Sequence, residues 1–262
     1  MQDIVRLKSY LAGHNVTISH SGTDVNHDDN INLLDLFIIR KHLAGLETTL
    51  NAQLSAEKTP SISVSNYSVN SESEIRITIS LKDNPGLWGL GALVSYDKKY
   101  LDLIGVENGD IFADTDLTDG NFDLETYSLL FMNEASLSAN IIGDGTLVTL
   151  VFKVIKESPD GITPITLSFD NEHIAMNVSG EKVDISTSMG IIAFDDDFVL
   201  PDVNNDGVLN GSDLTTFVSY MSGAESKFEN ESAIDFDGNK VINLYDLNRF
   251  IDFLRKCDLK NK

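Results

Sequence analysis

Apolar residues keep two different periods along this chain. Near both ends they recur one, four and eight positions after an aspartate. After Asp213 these are Leu214, Phe217 and Met221, and after Asp246 they are Leu247, Phe250 and Leu254. After Asp35 they are Leu36, Ile39 and Leu43, and after Asp3 they are Ile4, Leu7 and Leu11. This spacing lays one apolar stripe along a helix. Asp3 to Asp35 and Asp213 to Asp246 are nearly equal intervals, 32 and 33 residues, so each end of the chain reads as a tandem pair of helical units. The first two helices are expected to pack Ile4, Leu7 and Leu11 against Leu36, Ile39 and Leu43.

From Ser61 the period falls to two. Ile62 to Ser65, Ile75 to Ser80, Gly89 to Tyr96, Thr146 to Val154, Ile165 to Phe169 and Gly190 to Phe194 read as strands. Turn signals separate them: Asp83-Asn84-Pro85-Gly86, Asn108-Gly109-Asp110, Gly143-Asp144-Gly145 and Pro159-Asp160-Gly161. Many short strands at this spacing predict an all-β sandwich. Residues 47–59, small and polar, read as a linker ahead of Pro60.

Two strands are apolar on both faces. Trp88, Leu90, Ala92, Val94 and Tyr96 suit a core, yet Leu87, Gly89, Gly91 and Leu93 on the other face carry no polar group. Likewise Val148, Leu150, Phe152 and Val154 alternate with Leu147, Thr149, Val151 and Lys153. A solvated face should be polar. Either loops cover these faces or they form a docking patch, and docking is the expectation.

Three of the helical units begin with an oxygen-rich loop. One runs from Asp202 through Asn204, Asp206, Val208 and Asn210 to Asp213; a second from Asp235 through Asp237, Asn239, Val241 and Asn243 to Asp246; a third from Asp24 through Asn26, Asp28, Asn30 and Asn32 to Asp35. Short oxygen-bearing side chains at positions 1, 3, 5, 9 and 12, with a backbone carbonyl at position 7, are how an EF-hand loop wraps Ca²⁺. A single such loop could be Asx turn chemistry; three in register with matched helices point to metal. No helical pattern precedes the loops, unlike an ordinary EF-hand. Gly207 supplies the glycine wanted at position 6, whereas Asp29 and Lys240 hold that place in the other loops, and Gly238 stands at position 4. The Asp202 loop therefore fits best and the Asp235 loop least.

The chain has 262 residues and a net charge of −22, and residues 60–199 hold 7 basic against 23 acidic side chains. Such a surface repels phosphate backbones and anionic lipid. The single cysteine, Cys257, excludes a disulfide framework, and no Cys/His metal spacing occurs. Neither a signal peptide nor an apolar span is present. Asp3 lies where a calcium loop should already have run its length, so the N-terminal pair reads as cut inside its first loop, as in a mature fragment.

The loop–helix pairs resemble dockerin modules of bacterial cellulosome-type assemblies: a whole module over residues 200–257 and a partial one over 1–46, where Asp3 to Gly13 looks like a dockerin helix with its glycine cap. The phrases Ser95-Tyr96-Asp97 to Leu103, Val106 to Ile111, Gly143-Asp144-Gly145 to Val154 and Ile191 to Phe194 resemble cohesin modules over residues 60–197. The implied architecture is multidomain: a cohesin-like jelly-roll sandwich flanked by small all-α, EF-hand-like calcium modules, holding up to three Ca²⁺ per chain. The resemblance implies a secreted, extracellular or cell-surface bacterial adaptor that is not an enzyme. Its cohesin would receive a dockerin-bearing enzyme or scaffoldin, and its C-terminal dockerin would plug into the cohesin of another scaffoldin. It also places dockerin recognition at loop positions 10 and 11, here Gly211 and Ser212 in one half and Leu244 and Tyr245 in the other, with Tyr220 and Phe253 as aromatic anchors on the helices. On the cohesin side the expected contact residues are Leu87, Gly89, Gly91, Leu93, Leu147, Thr149 and Val151. Two other readings stand behind this one. A carbohydrate-binding module would want several coplanar aromatics, and there is one tryptophan, expected to face inward. A glycoside hydrolase would want a carboxylate pair in a cleft, and 41 acidic residues make such pairs uninformative.

Overall fold

The computed structural model describes residues 2–46, 59–69, 74–113, 116–118, 120–124, 126–159, 161–194, 200–206, 209–224, 233–236 and 239–259. All but one residue of the expected linker, 47–59, lies outside them. Helices α1 (Gln2–Leu11), α2 (His20–Thr23) and α3 (Leu33–Leu43) come first, and α4 (Gly211–Met221) and α5 (Leu244–Leu259) come last. The strands between them are β1 (Ser61–Val64), β2 (Tyr67–Ser68), β3 (Glu74–Lys82), β4 (Gly89–Ser95), β5 (Leu101–Asn108), β6 (Leu117–Thr118), β7 (Thr126–Met132), β8 (Gly145–Val154), β9 (Ile162–Ser168), β10 (Ala175–Met176), β11 (Ser186–Ser188) and β12 (Gly190–Ala193).

The strands form a two-sheet sandwich. One sheet has the order β11-β1-β3-β8-β5; the other has the order β2-β12-β9-β4-β7-β6, with β10 paired to β4. β1 pairs parallel to β11 and β12 pairs parallel to β2, while the central pairs are antiparallel. Ile75, Ile77, Ile79, Leu90, Ala92, Val94, Leu150 and Phe152 interdigitate between the sheets, as alternation demands.

Three of the expected faces change. Between Ile79 and Ser80 the β3–β8 register shifts, and the extra residue opposite is Leu147. Leu147 and Val148 are both fully buried in the sandwich core, so Leu147 is no surface residue. A bend at Trp88 likewise breaks the phase before β4: Leu87 turns into the sandwich core, and Trp88 turns out of it, under the N-terminal helices. Trp88 is buried, but not where it was expected.

Strand β7, in the middle of its sheet, shows no alternation because both its faces are covered. Tyr127, Leu129 and Phe131 enter the sandwich core, while Leu130 and Met132 join a second cluster with Leu7, Leu11, Ile31, Leu33, Leu36, Phe37 and Trp88. Helices α1 and α3 thus pack against each other and against the outer face of β4 and β7. Leu43 is the exception to the expected stripe. It is exposed, and Phe37 instead fills the space against Trp88, ring centroids 4.6 Å apart.

A third cluster joins the C-terminal helices to the same sheet. Val203, Leu209, Phe217, Ile234, Phe250 and Cys257 pack with Ile162 of β9 and Ile191 and Ala193 of β12. The outer face of the other sheet is polar: Arg76 bridges Glu74 at 3.1 Å and Glu107 at 3.3 Å.

Because Phe152 is fully buried in the sandwich core, Phe152→Ala should cost about 3–5 kcal/mol. Ile155→Ala, at an exposed site, should cost no more than about 0.5 kcal/mol. Urea unfolding of the two variants, with calcium held constant, measures both.

Candidate calcium loops and docking surfaces

Each loop folds by one hydrogen-bond scheme, written three times. Position 9 caps the helix and position 12 closes a capping box. In the first loop the Asn32 side chain accepts from the Leu34 N–H at 2.8 Å, and Asp35 accepts from the Asn32 N–H at 3.0 Å. In the second, Asn210 accepts from Ser212 and Asp213 from Asn210. In the third, Asn243 accepts from Tyr245 and Asp246 from Asn243. The other oxygen of each position-12 aspartate accepts from the N–H at position 2: Val25 at 2.9 Å, Val203 at 2.8 Å and Phe236 at 3.0 Å. Position 1 closes the turn. Asp24 accepts from Asp28 and Asp29, Asp202 from Asp206, and Asp235 from Asn239 and Lys240.

The turn demands left-handed backbone at two places. Position 4 has φ of +60° at His27 and +55° at Asn205; position 6 has +64° at Asp29 and +66° at Lys240. The loops that lack glycine at position 6 make the turn regardless. Gly238 occupies position 4, which is left-handed at His27 and Asn205 in the other two loops. Val208, Asp237, Gly207 and Gly238 themselves lie outside the described residues. A single helical turn, α2, precedes the first loop, where none was expected.

This donor set fits a hard cation. Asp35, Asp213 and Asp246 are fully buried at the helix starts. Burial pushes the carboxyls of Asp35 and Asp213 above the usual carboxylate range; backbone N–H bonds oppose this, and the neighbouring Asp28 and Asp202 add repulsion. A cation among these oxygens would relieve both desolvation and repulsion. Among the described residues no three His, Cys, Asp or Glu side chains gather as a metal-holding group. Here asparagine oxygens and a backbone carbonyl make up the remainder of the ligand pattern.

The expected docking patch divides between the two sheets. Thr149 and Val151 lie on β8, whereas Gly89, Gly91 and Leu93 lie on β4 in the other sheet, so they cannot form one surface. Leu87 and Leu147 are core residues, as described above. Gly89 lies beneath Leu33: a Cβ there would stand 2.6 Å from the leucine Cδ2. Gly91 lies beneath the backbone of His173 and Ile174. Leu93 lines a cleft of about 350 Å³ with Tyr10, Leu11, His14, Ser128 and His173, between the N-terminal unit and the sandwich. In that cleft Ser128 Oγ stands 3.4 Å from His173 Nε2, and His173 Nδ1 stands 2.8 Å from Asp170. Ser128 is nearly buried, with Gly13 directly above it, and the relay ties the turn before β10 to β7.

On the C-terminal module Gly211 and Ser212 are exposed, Leu244 is 66% exposed and Tyr245 46%. Tyr220 and Phe253 are half-buried, packed against the third cluster. The contacts missed by sequence reasoning are those of the N-terminal unit. Glu134 takes Lys8 and also Arg40, the latter at 3.1 Å, and Asn32 Nδ2 donates to the Asn171 carbonyl at 3.0 Å. Leu33 holds the loop position of Leu244, and that equivalence was the available signal.

Comparison with protein families places a cohesin domain over residues 60–192. The chain belongs to the cohesin family. A dockerin type I domain follows over residues 200–255, so a cohesin and a dockerin share this chain, the make-up of a cellulosomal scaffoldin-type protein. Among solved structures, a chain of a type I cohesin–dockerin complex from Clostridium thermocellum is 22% identical over 53% of this chain and 100% of its own, with a TM-score of 0.46. The seventh ScaB type I cohesin from Pseudobacteroides cellulosolvens is 21% identical over 52% and 92%, with a TM-score of 0.42. A non-cellulosomal cohesin from the archaeon Archaeoglobus fulgidus is 15% identical over 53% and 92%, also at 0.42. No curated relative matches the chain. Type I dockerins are calcium binders, which agrees with the oxygen chemistry of the two C-terminal loops.

Lys240 is a β-carbon-bearing residue held in left-handed backbone, which costs roughly 1 kcal/mol. Lys240→Gly keeps the N–H to Asp235 and removes that cost. It should stabilise the dockerin by about 1 kcal/mol and tighten calcium binding about fivefold. Thermal melts and calorimetric titration of the variant against the parent chain check both, and weaker calcium binding would contradict the reading.

Proposed function

We propose that this chain is a non-catalytic adaptor. The cohesin receives a dockerin-bearing enzyme or scaffoldin, and the C-terminal dockerin docks, with calcium, into the cohesin of another scaffoldin. The assembly is an extracellular or cell-surface bacterial complex that degrades polysaccharide. One observation carries the reading: a cohesin and a type I dockerin lie on one chain, and the dockerin's loop positions 10 and 11 remain exposed. Among the described residues no helix is long and apolar enough to cross a membrane.

Calcium would be held by Asp202, Asn204, Asp206, Val208, Asn210 and Asp213, by Asp235, Asp237, Asn239, Val241, Asn243 and Asp246, and by Asp24, Asn26, Asp28, Asn30, Asn32 and Asp35. The ion supplies positive charge among buried carboxylates, and so couples binding to folding. The protein supplies the rest: capping boxes that aim each position-12 aspartate, and a helix that presents positions 10 and 11 to a partner. The exposed Leu244 and Tyr245 differ from Gly211 and Ser212, so the two halves offer unlike surfaces and one docking orientation is favoured.

Residues 1–46 belong to this reading as a partial dockerin-like unit with one complete loop, and residues 47–59 as a linker. Calorimetric titration should therefore find up to three calcium ions per chain, and four would reveal a loop unaccounted for.

A pairwise screen of the whole chain against panels of dockerins and cohesins tests the adaptor. Calcium-dependent binding of at least one member of each panel is expected. Leu244→Asp with Tyr245→Asp should weaken cohesin binding at least about a hundredfold, the loss of a central apolar anchor, without changing calcium stoichiometry. Binding to neither panel, or binding to cellulose or xylan instead, would overturn the proposal.

A further inference from the structure

The outer face of β4, which holds Gly89, Gly91 and Leu93 of the expected docking patch, already carries a loop–helix unit supplied by the same chain. Position 10 of that unit, Leu33, is buried over Gly89. Its counterpart in the last unit, Leu244, is exposed. Two further contacts are peculiar to the N-terminal unit. Phe37, two residues past the last loop aspartate, packs on Trp88, and Arg40, five past it, lies over the Trp88 ring at 5.7 Å and pairs with Glu134. The equivalent residues are Thr215 and Val218 in α4, and Asn248 and Ile251 in α5. Lys8 of α1 adds a second cation to Glu134, on a domain that holds 7 basic against 23 acidic side chains over residues 60–199.

We propose that the N-terminal unit is a resident ligand of the cohesin face formed by β4 and β7, and that it regulates that face by competing with dockerins in trans. The proposal rests on the adaptor reading and adds its control. Leu33, Phe37 and the Lys8–Glu134–Arg40 cluster hold the unit in place. A trans partner that succeeds it has the same chemistry: an apolar side chain at position 10, an aromatic two residues past the last loop aspartate and a base five past it. The chain's own C-terminal dockerin lacks the last two, so it does not compete, and the chain does not polymerise head to tail. A tethered ligand covering the face nine-tenths of the time lowers apparent affinity about tenfold.

Trp88 is the only tryptophan and is fully buried beneath this unit, so its fluorescence reports whether the unit is seated. The experiment uses the full chain in calcium, as wild type, as Leu33→Asp/Phe37→Asp, and as Glu134→Lys. The last variant repels Lys8 and Arg40 without touching either core. Acrylamide quenching of Trp88 and affinity for a panel of type I dockerins are measured for each. The expected result is Trp88 shielded in the wild type, at least about threefold more quenching in both variants, and affinity for responsive dockerins raised about tenfold. Unchanged quenching in both variants would overturn the proposal, and so would dockerin binding equal in all three chains. If no chain binds any dockerin, the adaptor reading fails and this proposal with it; equal binding removes this proposal alone.

Discussion

One sheet of the sandwich is apolar on both sides, and the arrangement of the whole chain follows from covering it. Leu130, Met132, Trp88, Ile174 and Met176 on one part of its outer face, and Ile162, Ile191 and Ala193 on another, cannot be left against water. At about 25 cal/mol per Å² of buried apolar area, the incentive to cover such a face exceeds that of any single ion pair on the surface. The N-terminal helices cover the first part and the C-terminal helices the second. The opposite sheet carries Arg76, Glu74 and Glu107 outward, and among the described residues no helix joins a core cluster on that side. Both modules thus pack on the sheet whose outer face is apolar.

The loop aspartates serve two ends with one set of atoms. Position 12 caps its helix through one oxygen and draws in the N–H at position 2 through the other, so the loop is shaped before any ion is considered. The same burial that makes the geometry rigid leaves Asp35 and Asp213 desolvated and close to another carboxylate. Shape is therefore supplied by hydrogen bonds, and the unfavourable electrostatics are left for a cation to offset. Three repeats of one scheme occur in units of unlike surface: the oxygen-bearing positions are common to all three loops, whereas positions 10 and 11 and the following helix differ.

That division also bears on how the two loop–helix units sit on the sandwich. The N-terminal unit sits on the cohesin through Leu33, Phe37 and Arg40, whereas the C-terminal module meets the sandwich through Phe217, Phe250 and Cys257, residues of its own core. The C-terminal module is attached by its inner stripe and leaves Leu244 and Tyr245 outward, whereas the N-terminal unit is attached through Leu33 at loop position 10 and the helix that follows it. The two units pack on one sheet by different faces.

Four of the five helices and the three loops were legible in the sequence, because each rests on contacts within about a dozen residues: a cap, a box, a stripe at helical period; the single turn of α2 has no such stripe. Strands β1 and β3, whose outer faces alternate with polar residues, were legible for the same reason. Strand β7 was not, since a strand covered on both sides has no alternation to read. Leu147 was assigned to the surface because a bulge displaces it, and Trp88 to the core because a bend precedes β4; both depend on partners far along the chain. The docking patch failed on the same ground: alternation gives the parity of a residue, and cannot say which sheet its strand joins or what lies across from it. Local hydrogen bonding and periodicity are written in neighbouring residues, so the sequence determined the loops, the helices and the two families they resemble. The occupant of the cohesin face depends on contacts between residues as far apart as Lys8 and Glu134, and only the tertiary structure could decide it.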